Sequence, residues 1–283
     1  MYLQIPSLLR FNFLISVLVS TFSVYFLTNN QIITSVIFFG QGHFLLSYIY
    51  ANKYGKINRF FLIKFSALVT ILGLICFYIN TNLELFQVMI FFTSILFTFH
   101  YFNDEFKIKG LEKVNNKIFA VLSVVFSFVS VFLVKIFSTE LLLSYIFIFL
   151  AIVSSLFFIF QDKEKVFQKN VYFGFFLLMN IFTPFFLIFQ KNVTAAQILG
   201  FIILFHYVRW YLYYFQKLQG DELVFYKDAV VWSNVLVLLT FIEYVMAPHL
   251  GILYMFYSPL FFYAWSIVHI ILFLRKEDYM VRI

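Results

Sequence analysis

Four histidines lie inside long apolar stretches of this chain: His43, His100, His206 and His269. An ionisable side chain in hydrocarbon is costly, and such residues mark the places where a membrane protein does chemistry. Neutral imidazole ligates Fe, Zn or Cu without adding charge to an apolar interior. Counted from the first residues of the spans given below, the four fall 12, 18, 10 and 18 residues along. At about 1.5 Å per residue they are spread over about 12 Å of depth. One imidazole on each of four helices at overlapping depth predicts a shared metal site. Four neutral ligands leave a metal its full charge, so an acid is expected close by. Asp104 follows His100 by four residues and shares its face if the helix continues that far. The plainer role for any one of these histidines is a hydrogen bond between helices, worth roughly 1 kcal/mol. His249, beside Pro248 in a short outer loop, reads as solvated.

Other residues have two readings each. Arg209 lies three residues after His206 and shares its face, either as part of the site or with its head extended to the headgroups. Trp210, at i+4 from His206, lines a substrate pocket with Tyr207 or simply packs. Tyr207, Tyr211 and Tyr214 follow helical spacing, which suits packing and interface anchoring. Glu243 is either a buried relay in its span or a hydrated group at the outer interface. Asp221, Glu222 and Asp228 read as solvated acids of a cytoplasmic loop. Nucleotide and acyl-transfer motifs are missing: there is no P-loop, no GxSxG and no GxGxxG between a strand and a helix. Asn103-Asp104-Glu105 is half of one aspartate cluster of the kind membrane prenyltransferases use in pairs. No HxxxH or HxxHH pair of the di-iron desaturase kind is present.

The elements that must position these residues follow from composition. Hydrophobic residues make up 63% of the 283 and charged residues 12%, against roughly 45–50% and 25% in soluble domains. A soluble fold of this length cannot hide that much apolar surface, so part of its solvent is lipid. With a single cysteine, Cys76, no intrachain disulfide forms. A bilayer helix needs about 20 apolar residues. Ten such spans are expected, at 8–27, 32–51, 60–80, 83–102, 117–136, 140–160, 171–189, 197–216, 229–247 and 252–273. They are apolar on all sides for twice the length of a barrel strand, so they are helices. The expected fold is an all-α polytopic bundle forming one membrane domain over 1–283, with the first span retained rather than cleaved as a signal.

Lys and Arg cluster at the N-terminus and after the even-numbered spans, with only Lys135 and Lys191 on the other side. The positive-inside rule then predicts both termini in the cytoplasm, in a cell's inner membrane. The net charge of +7 is thus accounted for by topology, and no nucleic-acid partner is expected.

The histidine order resembles the Brp/Blh family, bacterial and archaeal membrane enzymes that cleave β-carotene to retinal. The stretches that carry the likeness are Gly40-Gln41-Gly42-His43-Phe44, Phe99-His100-Tyr101-Phe102-Asn103-Asp104, Phe205-His206-Tyr207-Val208-Arg209-Trp210 and Ile267-Val268-His269. The likeness covers roughly 32–275, which makes the first span look like an addition. No proline precedes His43 or His269, and Trp210 stands at the second place of an HxxxH-type pair. The resemblance implies a non-haem Fe(II) dioxygenase with His43, His100, His206 and His269 toward the metal and Asp104 and Arg209 supporting them. It also implies O2 and a polyene arriving laterally from the membrane lipids. The other reading is a non-enzymatic lipid or isoprenoid carrier, transporter or scaffold. Its histidines would join helices or relay protons, and Trp210 in a ligand's place favours it.

Overall fold

The computed structural model describes residues 5–53, 59–80, 83–108, 116–135, 141–161, 177–178, 181, 192–246, 257 and 259–275. Among the described residues the structure is helical, with no strand. The helices are α1 (Ile5–Phe26), α2 (Asn29–Lys53), α3 (Arg59–Asn80), α4 (Leu83–Ile108), α5 (Lys117–Lys135), α6 (Leu141–Gln161), α7 (Ala195–Lys217), α8 (Gly220–Met246) and α9 (Pro259–Arg275). Among the described residues, five of them (α2, α5, α6, α7 and α8) contain stretches long and apolar enough to cross a membrane. Helices are the outcome because lipid offers no hydrogen bond to a stray N–H or C=O, and a helix satisfies both within itself.

Two boundaries differ from expectation. The polar stretch from Asn103 does not break α4, which runs on to Ile108. The acidic stretch at 220–228, expected as loop, is the start of α8. Asp221 and Glu222 there sit in a first helical turn, where carboxylates offset the exposed N–H groups. Helix α9 is described from Pro259, and residues 252–256 and 258 of the expected last span lie outside the described residues. The seventh span expected, 171–189, lies outside the described residues apart from Leu177, Leu178 and Ile181. His249 and the side chain of Cys76 lie outside them too.

The chain divides into two compact units, residues 1–86 with 199–283, and residues 87–198. Two helices begin with reciprocal capping boxes, one box in each unit. Thr28 N–H donates to Gln31 Oε1 (2.9 Å) and Gln31 N–H to Thr28 Oγ1 (3.4 Å) at the start of α2. Thr194 and Gln197 repeat the pattern at 3.0 and 3.2 Å before α7. Each box satisfies two otherwise orphaned donors and fixes where the helix starts. Gly220, at φ 54°, turns α7 into α8, a conformation that suits glycine. One apolar cluster joins α2, α7, α8 and α9 through Ile37, Phe44, Leu204, Val237, Phe262 and Trp265. A second, around Leu46, Tyr50, Trp210, Tyr214 and Tyr226, joins α2, α7 and α8. Lys53 closes the end of α2 onto α8, its Nζ 2.8 Å from Glu222 and 3.9 Å above the Phe225 ring.

The second unit packs α5 on α6 through small residues. Ala120 and Ala151 are wholly buried, as are Ser123, Ser130 and Ser144. Ser144 Oγ donates across the interface to the Ser130 carbonyl at 3.0 Å. Small side chains let the two backbones approach, which is how helices gain packing energy where lipid removes the hydrophobic drive. Phe91 and Phe106 of α4 meet Phe132 and Phe158 edge-on at 5.9 and 6.1 Å. The outward faces of α6 and α8, with Phe149, Phe160, Trp232 and Leu239 exposed, are as apolar as lipid tails.

Candidate metal centre

All four span histidines are buried, none more than 7% exposed. In the first unit His43 on α2 is the centre of the group. Its ring centroid lies 5.6 Å from that of His206 on α7 and 5.1 Å from that of His269 on α9. Metal–nitrogen bonds of about 2.0–2.1 Å place the centroids of two imidazoles on one ion about 4.5–5.7 Å apart at ordinary bond angles. Both spacings fall in that range, but only His206, and not His269, belongs with His43 to the set whose ring nitrogens converge. The donor chemistry fits as well: buried neutral nitrogens suit a borderline transition metal.

Aromatic rings surround His43. Trp210 meets it edge-on at 4.3 Å and Tyr207 lies tilted at 5.3 Å. His269 stacks on Phe44 at 4.4 Å. Trp210 also contacts Tyr214 at 4.8 Å, so it is both a wall of the His43 environment and a packing residue. Tyr207 and Tyr214 are buried, and Tyr211 is half-buried.

Arg209 has no exposed surface. The reading in which it extends to the headgroups is therefore overturned, because α1 covers it. Asn12 Nδ2 donates to the Arg209 carbonyl at 3.3 Å, and the Phe13 ring lies 5.7 Å from the guanidinium. Phe13 also packs edge-on against Phe205 at 5.7 Å. The first helix is thus built into the neighbourhood of α7. Asn12, Ser16 and Ser20, one turn apart, are all fully buried on it.

In the second unit α4 carries His100 and Asp104, both buried. His100 Nε2 stands 3.6 Å from Asp104 Oδ2. That is longer than a hydrogen bond and close enough for a charge contact. The helix continuation that this pairing needed is present. A carboxylate behind a histidine fixes the ring and raises its basicity toward a metal. Glu105, next to it, is also buried, at 1% exposed, which its sequence position gave no reason to expect. His43, His100 and His206 each offer a ring nitrogen that could hold a metal ion.

Comparison with known proteins gives no matching family model, no similar curated protein and no similar solved structure. The likeness to Brp/Blh enzymes therefore rests on the motifs quoted above.

Glu243 is exposed, in the last turn of α8, and so is not buried as a relay would be. Asp221 and Asp228 are exposed, while Glu222 is partly buried against Lys53. Sequence reasoning quoted Gly40 and Gly42 only as part of a motif, without a role of their own, and passed over Asn12 and Asn234. The signals were present: a Gly-x-Gly directly before a span histidine, and asparagines inside apolar helices.

Proposed function

We propose that this chain is a multi-pass membrane metalloprotein in which His43, His206 and His100 hold a transition metal, with His269 as a further ligand or neighbour. The observation that carries the reading is the buried His206 imidazole beside that of His43, ring centroids 5.6 Å apart, with a ring nitrogen from each able to share an ion. Clustering costly polar groups in an apolar interior calls for a compensating interaction, and metal ligation supplies one. Asp104 orients His100, and buried Arg209 sets the charge of the α7 face that carries His206. Iron is the metal that the sequence resemblance implies, and when bound it supplies O2 chemistry. Tyr207 and Trp210 provide apolar ring surface of the kind that holds a polyene. On this reading the chain is a membrane oxygenase acting on a carotenoid-like substrate such as β-carotene, giving retinal. It lies in the cytoplasmic membrane with both termini inside, in line with its Lys and Arg distribution.

The rival reading is a non-enzymatic lipid or isoprenoid carrier, transporter or scaffold. The edge-on contact of Trp210 with His43 favours it, since here the histidine is packed against a ring at the place where a ligand was expected. Elemental mass spectrometry on detergent-purified protein separates the two. About one iron per chain, lost in His206→Ala, is the expected result. Folded wild-type protein free of metal after iron-supplemented growth would sink the metalloprotein reading.

A further inference from the structure

The helix that carries His43 has no side chains at two positions just before it, and neighbouring polar tips occupy the space. A methyl group on Gly40 would lie 2.7 Å from Tyr207 Oη and 2.6 Å from the Phe262 ring. A methyl group on Gly42 would lie 2.9 Å from Asn234 Oδ1 and 3.0 Å from Tyr211 Oη. Such approaches are closer than packed atoms tolerate. Tyr207 and Tyr211 stand one turn apart on α7, with Tyr207 adjacent to His206. Asn234 comes from α8, held by its Nδ2 donating to the Val230 carbonyl at 2.7 Å. Two glycines on α2 thus receive two tyrosine hydroxyls from α7 and one amide oxygen from α8. Gly73, on α3, has nothing within 4 Å of the same added atom, so close packing is not a property of every helical glycine here.

We infer that Gly40 and Gly42 are positioning residues for the histidine site: by admitting Tyr207, Tyr211 and Asn234 against the α2 backbone, they set the depth and rotation of α2 that bring His43 beside His206. The inference rests on the metal reading above. It follows from the shape of these helices. Neither α2 nor α7 presents one dominant apolar stripe, so the hydrophobic effect by itself selects no rotation about their axes. Interdigitation of small and large residues must do so instead. A one-residue turn of α2 by 100° would carry His43 off the α7 face altogether.

The test uses the full chain in detergent, loaded with Co(II) alone. The readouts are affinity from chelator competition and the position and intensity of the cobalt visible bands, which report ligand number and geometry. Circular dichroism checks helicity. Gly42→Ala should bind Co(II) about tenfold or more weakly with altered bands, in the range seen when a ligand-orienting group is lost. Gly73→Ala should match wild type. Asn234→Ala alone, which opens the notch without adding bulk, should weaken binding by less than Gly42→Ala does. Gly42→Ala/Asn234→Ala should return to that level, since the remaining Tyr211 tip can swing aside. Wild-type affinity and bands in both Gly42→Ala and Asn234→Ala overturn the inference while leaving the metal reading standing. If Gly42→Ala does not fold, wild-type behaviour of Asn234→Ala is enough to overturn it. A wild-type chain that binds no metal overturns both.

Discussion

Replacing Trp210 by histidine tests how α7 faces the site. Trp210 is 6% exposed, lies one turn beyond His206, and its ring is centred 4.3 Å from that of His43. An imidazole at that place would add a nitrogen beside two existing ones. Two opposing effects can be sized. Without metal, the smaller ring leaves a void against His43 and Tyr214. Deleting a buried Trp to Ala costs about 3–5 kcal/mol, and the retained imidazole should bring this to about 3 kcal/mol or a little less. With metal, one more ligand is worth about 3 kcal/mol if the roughly 10–16 kcal/mol of a four-ligand site is shared evenly. Allowing for strain, Co(II) or Zn(II) should bind about 30–100-fold more tightly. Trp210→His should therefore unfold at lower temperature than wild type in chelator, and be stabilised more than wild type on adding metal. Thermal unfolding followed by circular dichroism, with and without a saturating metal, reads both signs in one experiment. Equal or weaker metal binding in Trp210→His would refute the reasoning. It would mean that position 210 does not face the ion, and that its nearness to His43 is packing alone.

Asp104→Asn keeps the shape of the side chain and removes its charge, so metal affinity should fall about 10–100-fold while helicity is retained; isothermal titration of the apo protein measures it. Lys53→Met should cost less than about 1 kcal/mol, because the pair with Glu222 is more than a quarter exposed, and the loss should shrink at high salt in denaturant or thermal unfolding. Tyr257→Phe removes a 2.6 Å bond to the Val237 carbonyl and a 3.0 Å contact with Thr240; it should lower stability by about 1 kcal/mol and leave metal content unchanged, as elemental analysis would show.

Much of the helical architecture was legible because lipid leaves so few options. A run such as 141–161, apolar for its whole length, has no stable form in a bilayer other than a helix, and α6 covers those residues. The end of α4 was not legible. Asn103, Asp104 and Glu105 look like a loop in composition, yet Asp104 and Glu105 are buried and the helix absorbs them. Local polarity says how costly a residue is in lipid and does not say whether tertiary partners meet that cost. The acidic start of α8 misled in the same way, because carboxylates that suit a loop suit a first helical turn equally well.

For the site, the sequence alone determined the residue types and their spacing along the chain: four imidazoles in apolar stretches, and an acid one turn from His100. Spacing along one helix follows from counting, since every helical residue advances by a fixed rise. Rotation does not. A helix that is apolar all round carries no hydrophobic stripe to say which side faces inward. That His43 meets His206, His269 and Trp210 together was decided by packing. So was the covering of Arg209 by α1, a helix that had looked like an addition. The physical reason lies in contacts between residues distant in the chain, such as Gly42 with Tyr211 and Asn234. Only the folded bundle brings these together, and in lipid such close fits select one arrangement where burial alone cannot.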